Sequence, residues 1–141
     1  MEIRESEVED VLVNAPSLTA SLLNLDDDPH LLIRQMPIPS GRIDLLYAHH
    51  TNLLLLELKV VAFQKKFLEQ ILNYKNDLTD LQESGKLIKG NISPFLLCTI
   101  ISKFQKEESI RLGVRCIDYD PAYVLQGTIG GQSIIFIILG S

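Results

Sequence analysis

Tryptophan is absent from these 141 residues, and cysteine and methionine occur only twice each. The two cysteines, Cys98 and Cys116, lie in separate apolar segments without CxxC spacing. That argues against a metal or redox pair and reads as buried, reduced thiols of a cytoplasmic protein. Long hydrophobic runs are missing too. The longest, Leu53–Leu56 and Ile134–Leu139, fall far short of the ~20 residues that cross a bilayer. No basic flank leads into an apolar stretch at the start, so no secretory signal and no membrane partner are expected. An excess of positive charge is lacking as well: 13 basic side chains face 18 acidic ones, for a net charge of −5. This excludes a protein that coats nucleic acid by bulk charge and leaves room only for a local basic face.

What remains is an ordinary globular balance, 46% hydrophobic and 22% charged, at a length that suits one domain over 1–141 with a real core. Repeats, low-complexity tracts and linkers are not evident. Residues 2–13 read as a helix with Ile3, Val8, Val11 and Leu12 as its apolar stripe. Pro16 interrupts, and Ser17–Leu25 reads as a short helix capped by Ser17. Asp26-Asp27-Asp28-Pro29 is a turn, whose successive carboxylates point different ways and so make a poor metal site. Strands are expected at Leu31–Ile38, Arg42–Ala48 and Leu53–Val60, with a turn around His49-His50-Thr51-Asn52. Phe63–Leu81 carries Phe63, Phe67, Ile71, Tyr74, Leu78 and Leu81 at helical spacing. A strand at Pro94–Ile101, a helix at Lys103–Leu112 and a strand at Val114–Tyr119 follow. Asp120-Pro121 opens either a short helix over 121–126 or a strand. Ile134–Leu139 reads as a buried strand and a candidate interface strand.

The chemistry gathers in Leu-Leu-Leu-Leu-Glu-Leu-Lys, residues 53–59. Its apolar run belongs to a strand covered on both faces, yet Glu57 and Lys59 stand in it. A buried carboxylate costs several kcal/mol unless it is paired or bound to a cation. Strand period puts Glu57 and Lys59 on one face. A hairpin centred between His50 and Thr51 sets Asp44 opposite Glu57, on the same side of the sheet. Two carboxylates so placed repel, and a divalent cation between them removes the penalty.

Gly41-Arg-Ile-Asp44, then Glu57-Leu-Lys59, then Gln70 and Tyr74 on the following helix resembles the PD-(D/E)XK nuclease superfamily. The likeness is nearest to its NucS-type endonucleases and RecB-type exonuclease domains. Glu9-Asp-Val-Leu-Val-Asn-Ala-Pro16 is similar to the helix that supplies a further glutamate before the sheet. The resemblance covers about residues 5–101. Ile43 stands where many members have proline, and no appended DNA-binding domain is recognisable. The fold it implies is α/β, a restriction-endonuclease-like αβββαβ core with a mixed central sheet flanked by helices.

The resemblance also implies roles. Asp44, Glu57 and the Leu58 carbonyl would hold Mg2+ or Mn2+, with Glu9 as an additional outer acid and Glu5, one turn earlier, as the alternative. Lys59 would orient the attacking water and stabilise charge on the phosphate. Gln70 would position substrate or water, and Tyr74 would line the site. Gln35 on the first strand, and Lys65 and Lys66 at the start of the long helix, are candidates for contacting substrate, as is Lys75. The implied activity is metal-dependent hydrolysis of DNA phosphodiester bonds, with a homodimer as a way to lengthen the DNA groove. The alternative is a non-catalytic nucleic-acid-binding or protein-interaction module on the same fold. His49 and His50, in the turn at the far end of the hairpin, read as exposed side chains.

Overall fold

Helix α1 (Glu5–Asn14) opens the fold and buries Val8 and Leu12, with Glu9 between them also buried. The expected helix over 2–13 thus starts three residues later, where Glu7 Oε1 accepts from the Arg4 backbone N–H and from its guanidinium. Pro16 marks the break between two helices, as expected. It occupies the first turn of α2 (Pro16–Leu23), where its missing N–H costs nothing. Ser17 is therefore inside α2 rather than its cap, and its hydroxyl donates to Asp28 Oδ2. Asn24 ends α2 in the left-handed conformation (φ 57°) that asparagine tolerates.

The computed structural model describes residues 2–130; Ile134–Leu139, expected as a strand and interface, lies outside them. Strands β1 (His30–Ile38), β2 (Gly41–His49) and β3 (Asn52–Leu58) form an antiparallel meander. Helix α3 (Lys65–Glu83) crosses over to β4 (Asn91–Cys98), and α4 (Lys103–Arg111) to β5 (Arg115–Asp118). The β3–β4 and β4–β5 pairs are parallel, and the sheet order is β1-β2-β3-β4-β5. Asp120 caps a last short helix, α5 (Pro121–Leu125), by accepting from the Ala122 N–H, which decides the ambiguous segment as helix. The expected αβββαβ order and mixed sheet are present.

The apolar strand run behaves as its composition demands. Leu53 and Leu55 pack with Phe67, Ile71, Tyr74 and Leu78 of α3 on one face. Leu54, Leu56 and Leu58 pack with Val8, Leu12, Leu22 and Leu23 of the N-terminal helices on the other. Covering both faces excludes water from the middle strands, so every polar side chain there must find a partner within the protein. Cys98 and Cys116 are buried and free, and burial pushes the Cys98 thiol up to about 12.

Candidate functional site

The β2–β3 ladder runs from His49↔Asn52 to Leu45↔Leu56, the register that a turn centred on His50 and Thr51 requires. Beyond the last pair, side chains take over from the backbone. The Asp44 N–H donates to Glu57 Oε1 at 3.0 Å, and the Leu58 N–H donates to Asp44 Oδ2 at 2.9 Å. Each carboxylate is thereby fixed by a strand amide. Glu57 is only 3% exposed. Burial, and then the Asp44 charge, push its carboxyl up to about 8. Burial also raises Asp44, with the Leu58 N–H acting in the opposite direction. Among the described residues, neither carboxylate forms an ion pair with a lysine or arginine. A buried and a half-buried acid side by side, short of positive charge, fit a divalent cation such as Mg2+ or Mn2+.

Lys59 follows immediately. Its Nζ donates to Gln70 Oε1 at 3.3 Å and stands 4.6 Å from the centre of the Phe67 ring. The amide and the ring hold the ammonium without neutralising it. Lys59, Lys66, Phe67 and Gln70 line a cleft of about 400 Å³. At the other end of Lys59, its carbonyl accepts from the Tyr119 hydroxyl at 2.7 Å.

Tyr74 is buried, and its hydroxyl lies among the Arg42 backbone, Gln70, Glu57 and Asp44. The ring is core, and the Glu57 and Asp44 charges act on its hydroxyl. The approach also explains Gly41. A Cβ at that position (φ 152°) would stand 2.7 Å from the Tyr74 hydroxyl oxygen, closer than any side chain permits.

Glu9 and Gln35 complete the arrangement. Glu9 is 3% exposed, buried rather than part of a solvated helix face. Arg34 makes the burial tolerable, since its guanidinium pairs with both Glu9 and Asp10. The Gln35 amide donates to both Glu9 oxygens, at 3.1 and 2.9 Å, and to Asp44 Oδ1 at 3.3 Å. All three partners are acceptors, so only the NH2 end of the amide satisfies them. Gln35 adopts φ 55°, a left-handed conformation that costs a glutamine about 1 kcal/mol or more. The strain turns its side chain from the sheet edge toward α1. Glu5 is exposed; partial desolvation raises its carboxyl and the Lys59 charge opposes this.

The structure therefore brings together Asp44, Glu57, Lys59, Gln70, Tyr74, Gln35 and Glu9, with the Leu58 N–H bound to Asp44 and Lys66 at the cleft. It separates two lysines from them. Lys65 lines an apolar depression with Phe63 and Phe104, and Lys75 lines a cavity with His49 and Arg115. His49 is buried rather than exposed, and His50 is exposed as expected. Sequence reasoning missed Arg34, Phe67 as a partner of Lys59, and Tyr119. For Arg34 the signal was a charge beside Gln35 in an otherwise apolar strand; for Tyr119 there was none.

No family model and no curated protein sequence matches the chain. Two solved structures share its fold. One is a repair endonuclease from Pyrococcus abyssi, 19% identical, with TM-score 0.63 over 86% of this chain and 49% of that one. The other is an EndoMS–dsDNA2 complex, 18% identical, with TM-score 0.64 over 86% of this chain and 48% of that one. The chain thus spans about half the length of these proteins. The likeness establishes the α/β architecture, a mixed five-stranded sheet with flanking helices, shared with these endonucleases.

Proposed function

We propose that the chain is a PD-(D/E)XK-type nuclease domain that hydrolyses DNA phosphodiester bonds with Mg2+ or Mn2+. The observation that carries this is the Asp44–Glu57 pair: two strand acids, one fully buried, locked side by side without a basic partner. Asp44, Glu57 and the Leu58 carbonyl would hold the cation, with Glu9 supporting Asp44 through the Gln35 amide. The cation would supply Lewis acidity at the scissile phosphate and lower the pKa of a bound water.

The chain's own residues do the rest. Gln70 and Phe67 keep the Lys59 ammonium at the cleft, where it donates to a phosphate oxygen and orients the attacking water. Lys66 contacts the adjoining phosphate backbone. The Tyr119 hydroxyl fixes the backbone of Lys59, and Tyr74 packs the Asp44 strand against α3. DNA as the substrate class is supported by the shared fold with the dsDNA-bound EndoMS.

The net charge of −5 favours a second reading, a non-catalytic interaction module on the same fold. One experiment separates the two. Single-stranded, duplex, flap and junction DNA are incubated with the protein in Mg2+, Mn2+ or chelator. Cleavage with either metal, none with chelator, and a loss of about 10²-fold or more in Lys59→Ala and Glu57→Gln are expected. Activity that survives in Glu57→Gln, or no cleavage of any substrate by the wild type, overturns the nuclease reading.

A further inference from the structure

At the opposite end of the hairpin lies a second group of ligand-type side chains. The turn after α2 carries Asp26 to the tip where β2 passes into β3, beside His49 and His50. His50 Nε2 is 2.9 and 3.0 Å from the two Asp26 oxygens, and His49 Nε2 is 3.0 Å from Asp26 Oδ1. Candidate ligand atoms of all three lie within 4.8 Å of one another. The imidazole rings stand 4.1 Å apart, tilted by 50°. His50 reaches this position with φ 54°, a left-handed conformation that folds its ring back over the hairpin end.

The second observation is His49 itself. Its side chain is 9% exposed, and among the described residues its Nε2 has no hydrogen-bond partner despite the nearby Asp26 oxygen. The distance suits a bond but the alignment does not, so the nitrogen lies against the group without being satisfied by it. Buried polar atoms of this kind normally have partners. A cation placed among the three residues would give His49 Nε2 one.

We infer that Asp26, His49 and His50 form a transition-metal site of the Zn2+ class, with a fourth position open to solvent beside the exposed Asp26 and His50. Two imidazoles and one carboxylate are donors that Zn2+ and its neighbours prefer, whereas Mg2+ takes oxygen ligands. Bonds of about 2.0–2.2 Å place tetrahedral ligands roughly 3.3–3.5 Å apart. The observed spacings need only a few tenths of an ångström of opening, which the exposed Asp26 side chain allows. The ion ties the turn after α2 to the hairpin tip. Five residue steps along β2 separate His49 from Asp44, about 17 Å at ~3.4 Å per step, so this site is distinct from the Asp44–Glu57 pair.

Co2+ added to metal-free, untagged protein tests it. One equivalent should produce the visible absorption of four-coordinate Co2+, and Zn2+ should bleach it. Asp26→Asn and His50→Asn each should weaken binding at least tenfold. Both positions are exposed, and asparagine accepts the left-handed backbone at residue 50, so the fold is preserved. Glu57→Gln should retain the full signal. The inference is overturned by no four-coordinate signal at one equivalent, or by a signal unchanged in both asparagine variants. A signal lost in Glu57→Gln but kept in His50→Asn also overturns it, since the ion would then sit between the strand acids. None of these outcomes depends on nuclease activity.

Discussion

Asp44 holds Glu57 in place through its backbone and against their mutual repulsion: the amide of Asp44 binds the Glu57 carboxylate. The reciprocal bond runs from the Leu58 amide to the Asp44 carboxylate. Side chains here take the place of ladder carbonyls where β2 and β3 part. The pair is preorganised, and its repulsion is built in. A cation has only to arrive.

Manganese should therefore stabilise the folded protein. At ten-fold excess over Kd, a ligand specific for the folded state contributes roughly 1.4 kcal/mol, which raises Tm by a few degrees. Asp44→Asn keeps an acceptor for the Leu58 N–H but removes one of the two charges. It should abolish most of the manganese shift while leaving the metal-free protein at least as stable as wild type. Melting curves with manganese and with chelator measure both; a strongly destabilised metal-free Asp44→Asn would make Asp44 a structural residue.

The metal-free protein should lose stability as pH rises. Glu57 goes from an ordinary 4.5 to about 8 on folding, so the folded state holds its proton more tightly than the unfolded one. That contribution is complete below pH 4.5 and disappears as pH climbs through 8. The raised Asp44 acts in the same sense. Urea midpoints in chelator between pH 5 and 9 should fall, and Glu57→Gln should flatten the slope. A rising profile in wild type would contradict the buried-acid account.

Gly41 and Tyr74 should be energetically coupled. Gly41→Ala places a methyl 2.7 Å from the Tyr74 hydroxyl oxygen and 3.1 Å from its nearest ring carbon. A cost of about 1–3 kcal/mol is expected. In a Tyr74→Phe background the oxygen is gone and the cost should shrink, leaving the backbone and ring components. Equal costs in the two backgrounds, measured by urea denaturation, would show that the contact is not limiting.

Arg34→Met should destabilise the protein, because it leaves Glu9 buried with only the Gln35 amide. Arg34 is itself 34% exposed, which screens the pair. The loss should be about 1–3 kcal/mol rather than the larger figure for a fully buried bridge. Adding Glu9→Gln should recover part of it, since the uncompensated charge is then removed. Wild-type stability in Arg34→Met would mean that Glu9 is satisfied without the guanidinium.

The Asp44–Glu57 juxtaposition was legible in sequence because every step toward it is local. An apolar run specifies a doubly covered strand, strand period puts Glu57 and Lys59 on one face, and a tight turn at His50-Thr51 fixes the register. Helical spacing likewise puts Gln70 beside Phe67 and Tyr74. Pro16 marked the break between two helices, but Ser17 was misjudged as a cap, because proline itself suits the first helical turn.

What the tertiary structure alone decided lies between segments far apart in the chain. Glu9 is buried because Arg34 and Gln35 meet it from β1, and Gln35 reaches it through a backbone conformation its residue type does not announce. Tyr119 holds the Lys59 carbonyl, and Asp26 meets two histidines it precedes by more than twenty residues. Periodicity encodes which face a side chain occupies on its own element. Which elements then share that face, and so which charges and donors become neighbours, is set by how the helices pack on the twisted sheet.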